Sequence, residues 1–347
     1  MRRLPLAFFV WSAAAGVDGT HTRLSWSKEA MLSTSMAGLS MEYVGGALEK
    51  IVVFAGHLSG ATWIIDDNKR SSIIAGAAIP FRYRACSTVL FGTTVIFAGG
   101  GINGAGVEVV DLFQSADAGV SWFSIGSSGW TEPVHACSMI STGPNEVIAI
   151  GGQKGAFPIA NRSYYNTVRR SNNAGTTWID LSCSSGTPRF APQSYQAAAY
   201  MDDFGQAGRI VLIGGELTIN HLSHVHKQVW YSDDKGLCWS LTTDTIPFES
   251  RSGAQLVYVP RTAGTPFGDY PYGALIMAGG DGVSAALNDV WRSLDAGVKW
   301  TRLTPRSALG VDIVWSPRSE FQVRFSEKTT VPLHANRRES SFSQFNV

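Results

Sequence analysis

The chain has 347 residues, of which 37 are glycine and only 16% are charged, and its formal net charge is +1. This composition favours many short strands joined by glycine turns, and it argues against a charge-rich helical protein or a disordered chain. The 28 basic and 27 acidic residues form no long run of either sign, so the sequence gives no reason to expect a nucleic-acid partner.

The first nineteen residues have the pattern of a signal peptide. Two arginines precede an apolar stretch from Leu4 to about Ala15, and small residues follow where a signal peptidase would cut. A buried first strand or a membrane anchor is the alternative interpretation, but the apolar stretch is shorter than the roughly 20 residues that span a bilayer. The sequence therefore predicts entry into the secretory pathway, an extracellular or lumenal location, and no transmembrane segment once residues 1–19 are removed.

Apolar runs closed by glycine recur along the chain. They are "IVVFAGH" (51–57), "TVIFAGG" (94–100), "EVIAIGG" (146–152), "RIVLIGG" (209–215) and "ALIMAGG" (274–280). Each predicts a buried strand that ends where the backbone turns sharply without a Cβ atom. A short buried helix is the competing interpretation, and the β-branched residues and bounding glycines argue against it.

An eight-residue pattern, Ser-x-Asp-x-Gly-x-x-Trp, follows four of these runs, and its Trp recurs at intervals of 56, 61 and 61 residues. We expect a tight turn in which the short polar side chain accepts backbone N–H bonds, the glycine takes positive φ and the tryptophan packs into the sheet interface. This role is structural, not catalytic. The turn residues are Asp117, Gly119, Trp122; Asn173, Gly175, Trp178; Asp234, Gly236, Trp239; and Asp295, Gly297, Trp300.

Each repeat unit is predicted to form four strands, and a lone sheet of this size cannot bury both apolar faces. Several such sheets must stack around an axis, so the fold class is all-β, a β-propeller of four-stranded antiparallel blades over residues 20–325. The eight-residue turn resembles the Asp-box of sialidase-like propellers. The Gly-Gly strands followed by Trp-bearing strands resemble the kelch repeats of galactose-oxidase-like propellers. The first unit departs from both patterns, because "TWIIDDNKRSSIIAG" (62–76) lacks the expected Gly and Trp, and its Gly-Gly pair is Gly56-His57.

The blade count depends on the two ends of the chain. Five full units leave the strand-like segments 22–27, 308–315 and 320–325. Pairing of these terminal segments would close the ring as a sixth blade, so six blades are favoured, with five and seven as alternatives. Residues 326–347 have no periodicity and are expected to lie outside the ring.

Four cysteines are expected in an oxidising compartment and allow two disulfides. Cys86 and Cys137 occupy matching positions of adjacent inner strands, and Cys183 and Cys238 lie near the outer strands of neighbouring blades. Pairing by position is our hypothesis, and buried thiols are the alternative. The triplet Asn161-Arg162-Ser163 is a lone glycosylation sequon.

The loops that follow the Gly-Gly strands are the longest and least alike, so a ligand surface is expected there. One of them carries His221, His224 and His226, which suit either a metal site or a solvated polar loop. No metal or cofactor is expected, and these three histidines are kept as candidate ligand-binding residues. The other candidates are three arginines near the inner strands, Arg82, Arg84 and Arg251, which could grip an acidic substrate group.

Two classes of function lead at this stage, and a metal-dependent enzyme using His221, His224 and His226 is third. The first is a non-enzymatic secreted scaffold that binds a protein or a glycan through the loops after the Gly-Gly strands. The alternative is a sialidase-like or other carbohydrate-active hydrolase with its site at the propeller axis, although no Tyr or Glu is seen to complete an arginine-based set. Copper chemistry of the galactose-oxidase type would need a cysteine cross-linked to tyrosine, and the four cysteines are accounted for more simply as disulfides or buried thiols. The acidic side chains Glu42, Glu216, Asp281 and Asp312 are expected to fill turn or channel roles, so no catalytic residue is assigned.

Overall fold

The computed structural model describes residues 8–18, 21–32, 40–45, 50–54, 62–65, 71–74, 79–80, 82–91, 93, 95–103, 105–126, 129–155, 162–184, 189–219, 222–242, 245–261, 271–303 and 323–325. All regular secondary-structure elements in this described part are β-strands. In chain order the strands are β1 (Phe8–Asp18), β2 (His21–Leu32), β3 (Ser40–Val44), β4 (Lys50–Phe54), β5 (Thr62–Ile65), β6 (Ser71–Ile74), β7 (Arg82–Tyr83), β8 (Cys86–Val89), β9 (Ile96–Gly99), β10 (Ile102–Asn103), β11 (Leu112–Ser115), β12 (Phe123–Gly126), β13 (Ser138–Gly143), β14 (Glu146–Ile150), β15 (Gln153–Lys154), β16 (Ser163–Tyr164), β17 (Val168–Ser171), β18 (Ile179–Leu181), β19 (Ala197–Met201), β20 (Arg209–Ile213), β21 (Glu216–Ile219), β22 (Leu222–Val225), β23 (Val229–Ser232), β24 (Ser240–Leu241), β25 (Gln255–Val259), β26 (Ala274–Asp281), β27 (Ala286–Ser293), β28 (Thr301–Arg302) and β29 (Val323–Phe325).

Five four-stranded antiparallel sheets form the ring of a β-propeller. They are blade 1 (β3-β4-β5-β6), blade 2 (β8-β9-β11-β12), blade 3 (β13-β14-β17-β18), blade 4 (β19-β20-β23-β24) and blade 5 (β25-β26-β27-β28). The first strands of successive blades lie next to one another, β3 beside β8, β8 beside β13, β13 beside β19 and β19 beside β25. These strands therefore surround the axis, and the predicted fold class, an all-β propeller of four-stranded blades, is confirmed.

The two ends of the described chain meet in a separate three-stranded sheet in the order β2-β1-β29. β29 lies beside β25, where the inner strand of a further blade would stand, and it runs parallel to β1. The described residues thus contain five complete blades, one fewer than the favoured six. The terminal segments do join in one sheet, but residues 22–27 lie in β2 and pair with β1, which falls inside the predicted signal peptide. Segment 308–315 and the tail 326–347 lie outside the described residues.

The hydrophobic core is divided among the spaces between blades. Four clusters of buried side chains each combine two successive blades, from blades 1 and 2 to blades 4 and 5. In the space between blades 2 and 3, the Trp178 ring lies 5.8 Å from Phe97 and 5.0 Å from Trp130. Each blade therefore covers the apolar face of its neighbour, as a stack of sheets around an axis requires.

The eight-residue turns join the third and fourth strands of blades 2 to 5, and they share one hydrogen-bond pattern. In the turn of blade 2, Ser115 Oγ donates to Asp117 Oδ1 at 2.8 Å and accepts from Gly119 N at 2.7 Å, while Ser121 N donates to Asp117 Oδ1 at 2.8 Å. Asn173 takes the place of the carboxylate in blade 3, where its Oδ1 accepts from Thr177 N at 2.9 Å. In three copies the tryptophan Nε1 donates to the glycine carbonyl.

The glycine of each turn lies against the preceding blade. It has φ of +86° to +91°, and a Cβ atom at Gly175 would meet Phe97 of blade 2 at 2.1 Å. Gly119 approaches Val52 of blade 1 in the same way, Gly236 approaches Val168 of blade 3, and Gly297 approaches Val211 of blade 4. The repeated glycine therefore supplies both the positive φ that the turn needs and the close approach between blades.

Two disulfides connect neighbouring blades. Cys86 is bonded to Cys137 and links blade 2 to blade 3, and Cys183 is bonded to Cys238 and links blade 3 to the turn of blade 4. The pairing proposed from position is the one found. No helix among the described residues has the length and apolar character needed to cross a bilayer.

Candidate binding site at the loop end of the axis

The alternation of antiparallel strands places the connections of each blade at two opposite ends. The loops after the Gly-Gly strands leave at the same end as the segments that enter the next blade, whereas the eight-residue turns lie at the other end. We call the first the loop end. In blades 3 and 4 the loop is extended by two-stranded hairpins, β15-β16 and β21-β22, and in blade 5 by the ends of β26 and β27.

A ladder of three backbone hydrogen bonds links blades 2 to 5 beside the axis at the loop end. One residue with positive φ lies two positions before each inner strand of blades 2 to 5: Arg84 (60°), Ala136 (52°), Tyr195 (56°) and Gly253 (62°). The amide of each donates to the carbonyl of the one before, at 3.0 Å from Ala136 to Arg84, 2.9 Å from Tyr195 to Ala136 and 2.7 Å from Gly253 to Tyr195. Three of these four residues are not glycine and pay a conformational cost, which makes this ring of backbone a candidate functional position.

Polar side chains form a second set of links just beside this ladder. Ser194 Oγ donates to Gln153 Oε1 at 2.8 Å, and Ser252 Oγ donates to Glu216 Oε2 at 2.9 Å. Both links run from a residue three positions before an inner strand to the residue that follows the Gly-Gly pair of the preceding blade. In blade 2 the position equivalent to Gln153 and Glu216 holds Ile102. Glu108, which forms an isolated β-bridge with Ile102, lies near His135 instead.

His135 is fully buried and held in one tautomer by this arrangement. Gln153 Oε1 accepts a hydrogen bond from Ser194. The amide nitrogen Nε2 of Gln153 therefore faces His135 Nε2 at 2.8 Å and must donate to it. The proton of the neutral ring is then on Nδ1, which lies 3.0 Å from Glu108 Oε1. Burial, together with the positive charges of Arg84 and Arg162, lowers the pKa of His135 from 6.5 to about 3.

This lowered pKa predicts a pH dependence of stability. The unfolded chain binds a proton at His135 below its ordinary pKa of 6.5 whereas the folded protein does not, so stability falls as the pH drops from about 6.5 towards 3. The contribution has a limiting slope of about 1.4 kcal/mol per pH unit. We expect His135→Gln to remove this component from denaturation curves measured between pH 7 and 5. The exposed His224→Gln is the control, and equal slopes in the wild type and His135→Gln would contradict the interpretation.

Glu216 is a carboxyl group whose pKa is raised by its surroundings. Burial raises its pKa, the hydrogen bond from Ser252 and the charges of Arg162 and Arg84 act in the opposite direction, and Asp281 raises it further. Burial likewise raises the pKa of Glu108, which accepts a hydrogen bond from Gly155 N at 2.6 Å. The charges of Arg162, Asp281 and Arg84 therefore all act on Glu216.

The three predicted arginines do not form one cluster. Arg82 is 1% exposed and binds both carboxylate oxygens of Asp111 at 3.0 Å, and Arg251 is equally buried and binds those of Asp289 at 2.7 and 2.9 Å. Both also donate to backbone carbonyls of their own blades. Their guanidinium groups are paired inside the fold, and the ligand-binding role of Arg82 and Arg251 stays a prediction from the sequence. Arg84 alone of the three lies partly exposed at the axis.

The histidine loop is the β21-β22 hairpin. His224 is exposed opposite Leu217, and His226 is half-buried with its backbone N–H bonded to Gly215 O at 2.8 Å, while His221 lies outside the described residues. Burial, and next the neighbouring His224, lower the pKa of His226. In the described part of the chain, no three His, Cys, Asp or Glu side chains are grouped closely enough to hold a metal ion.

The remaining sequence candidates have varied surroundings. Glu42 is buried in blade 1 and accepts from Ser87 Oγ of blade 2 at 2.7 Å. Asp312 and the sequon residue Asn161 lie outside the described residues. Sequence reasoning missed Glu108, His135, Gln153, Ser194 and Ser252. The available signal was their place in the repeat, since a polar residue recurs three positions before successive inner strands.

Neither a scan against models of known protein families nor a comparison with curated proteins finds a match to this chain. The likeness to kelch and Asp-box repeats therefore stays a prediction from the sequence motifs. The five four-stranded blades around an axis place the protein in the class of β-propellers.

Proposed function

We propose that the protein is a secreted, non-enzymatic binding scaffold that takes a glycan or a protein ligand at the loop end of the propeller. The observation that carries this proposal is the form of the loops there. Among the described residues they carry the three most exposed large apolar side chains, Val107 of blade 2, Leu222 of blade 4 and Val283 of blade 5, and Ile219 of blade 4 is exposed beside Leu222. Exposed apolar side chains above a polar floor are typical of an interaction surface.

The rest of the molecule supports a rigid platform for such loops. The blades are joined by the axial ladder, by the side-chain links and by two disulfides. Rigid elements below variable loops are a common basis for binding sites, because ordering costs little on association. The two disulfides also favour an oxidising compartment, in agreement with secretion.

The test is a glycan-array screen of the purified protein with two matched variants. The double variant Ile219→Asp, Leu222→Asp changes the exposed hairpin of blade 4, and Leu237→Asp changes an exposed leucine in an eight-residue turn at the opposite end. Glycan binding that weakens at least about tenfold in the double variant and is unchanged in Leu237→Asp supports the proposal. Equal binding by all three proteins would place the ligand elsewhere and overturn it.

A carbohydrate-active hydrolase is the second candidate, and one observation favours it. Glu216 has a raised pKa, carries a hydrogen bond from Ser252, and lies within the electrostatic reach of Arg84. A raised pKa brings a carboxyl group closer to the range in which a general acid works. A fluorogenic sialoside assay on the same preparation separates the two candidates, because turnover abolished by Glu216→Gln would favour the enzyme, and binding without turnover would favour the scaffold.

A further inference from the structure

Two aromatic rings meet at the end of the axis opposite the loop end. The turn between β8 and β9 of blade 2 carries Phe91, which is 43% exposed and donates its backbone N–H to Ser141 Oγ of blade 3 at 2.8 Å. The Phe91 ring lies 6.3 Å from the Tyr200 ring of blade 4, at an angle of 83°. One turn thus connects three blades, and its rings form a right-angled pair of which Phe91 is open to solvent. We call this pair the aromatic corner.

Tyr200 is held rigidly in its own blade. Its hydroxyl donates to Ala207 O at 2.9 Å, across the turn that joins β19 to β20. A Cβ atom added at Gly208 would lie 2.4 Å from the Tyr200 ring, so the ring packs directly on this glycine. A side chain that is already ordered loses little freedom when a ligand contacts it, which favours binding at the corner.

Two carboxylates lie beside the aromatic corner. Asp202 and Asp203 are exposed in the turn that follows β19. Asp202 comes two residues after Tyr200, and side chains two positions apart along a strand point to one side. Burial raises the pKa of the Tyr200 hydroxyl, and the charge of Asp202 raises it further, which agrees with this placement. Asp203 accepts from Gly273 N of blade 5 at 3.3 Å, so the acidic turn is fixed to its neighbour.

The cations of blade 4 at this end are already paired. Arg209 donates to both carboxylate oxygens of Asp233 at 2.6 and 2.7 Å, and Lys235 pairs with Glu146. Neither ion pair includes the carboxylate of Asp202. Partial burial raises the pKa of Asp202 and the charge of Asp203 raises it further, and no cation of the described residues acts against them. The corner therefore combines an open aromatic face with a negative charge that the described part of the fold does not neutralise.

We propose that Phe91, Tyr200 and Asp202 form a second interaction surface, which takes a basic side chain, lysine or arginine, of a protein partner. A cation above an aromatic face is attracted by the charge distribution of the ring, and a carboxylate beside the rings adds a charge-assisted hydrogen bond. An acidic segment would be repelled, and an uncharged one would leave the carboxylate unmatched. The surface lies at the end away from the variable loops, so it goes beyond the proposed function and does not depend on it.

The experiment measures the fluorescence anisotropy of labelled peptides added to the purified protein. Three peptides of equal length are compared, in which serine alternates with lysine, with arginine or with glutamate. We expect a basic peptide to bind, and to bind more weakly as salt is added, whereas the glutamate peptide does not bind. Phe91→Leu keeps the apolar bulk but removes the aromatic face, so it should weaken binding about three- to tenfold. Asp202→Asn, which removes the charge, should weaken binding by a similar factor.

Matched variants away from the corner are the controls. Phe123→Leu removes an exposed ring from the outer strand of blade 2, and Asp180→Asn removes an exposed carboxylate from the outer strand of blade 3, so both should leave binding unchanged. Phe91→Tyr keeps the aromatic face and should retain binding. Failure of both basic peptides to bind overturns the proposal, as does equal binding of the glutamate peptide or binding that Phe91→Leu and Asp202→Asn leave unchanged. Thermal unfolding checks that each variant is folded.

Discussion

Replacement of Gly175 by alanine is expected to lower the free energy of unfolding by about 2–5 kcal/mol. Two costs add at this position. The residue has φ of +86°, where a Cβ atom costs about 1–2 kcal/mol, and the added carbon would lie 2.1 Å from the buried Phe97 ring of blade 2. Overpacking of this kind costs typically 1–3 kcal/mol. Chemical denaturation of the purified variant measures the sum.

Gly126→Ala is the matched control for this change. Gly126 has φ of +82°, but an added Cβ atom there would meet nothing within 4 Å. It therefore carries the backbone cost alone, and the difference between the two variants reports the contact between the turn of blade 3 and blade 2. Equal losses for Gly175→Ala and Gly126→Ala would mean that this contact contributes nothing to the stability of the ring.

Arg251→Ala is expected to destabilise the protein by about 3–5 kcal/mol, because it leaves the Asp289 carboxylate buried without its partner. Burial alone would raise the pKa of Asp289, but hydrogen bonds from Arg251 and Trp291 outweigh it and lower that pKa. The carboxylate is thus charged in the folded protein and depends on Arg251. Denaturation with Lys299→Ala as an exposed control in the same blade measures the loss.

A double variant decides whether the stranded carboxylate is the cause. Replacement of the whole pair, Arg251→Met with Asp289→Leu, removes both charges, so we expect a smaller loss than in Arg251→Ala. An equal or greater loss would show that shape and the bond to Gly279 O, not charge, account for the effect. In each folded variant, glycan binding should match the wild type, since Arg251 has no exposed surface for a ligand.

Much of the ring could be predicted because its signals are local. A glycine pair that ends a strand and a glycine that needs positive φ leave their mark within eight residues, and four such turns at a period near sixty set the blades and the order of strands. The same register suggested the disulfide pairs, which the sequence alone left as a hypothesis. The first blade, whose turn lacks this signal, was predicted only from the strands around it.

The site was harder to predict because it depends on partners far apart in the sequence. Arg82 pairs with Asp111, 29 residues away in the sequence, and Arg251 pairs with Asp289, 38 residues away. The local sequence around each arginine does not predict an ion pair. The orientation of the Gln153 amide, and through it the tautomer of His135, depends on the hydrogen bond from Ser194 of the next blade. Arg84 was a candidate, but its separation from Arg82 and Arg251 required the three-dimensional arrangement. The pairing of β1 with β2 was not predicted, because an apolar signal peptide and an apolar strand have similar compositions.

The direction of the glycine contacts bears on how the ring could be built during translation. Each turn of blades 2 to 5 touches the blade synthesised immediately before it, so a new blade emerging from the ribosome meets a surface that is already complete. Such an order lets the ring grow in one direction, one sheet at a time, with no need to wait for the last residues. Only the final join, where the two ends of the chain meet in β2-β1-β29, needs the whole polypeptide.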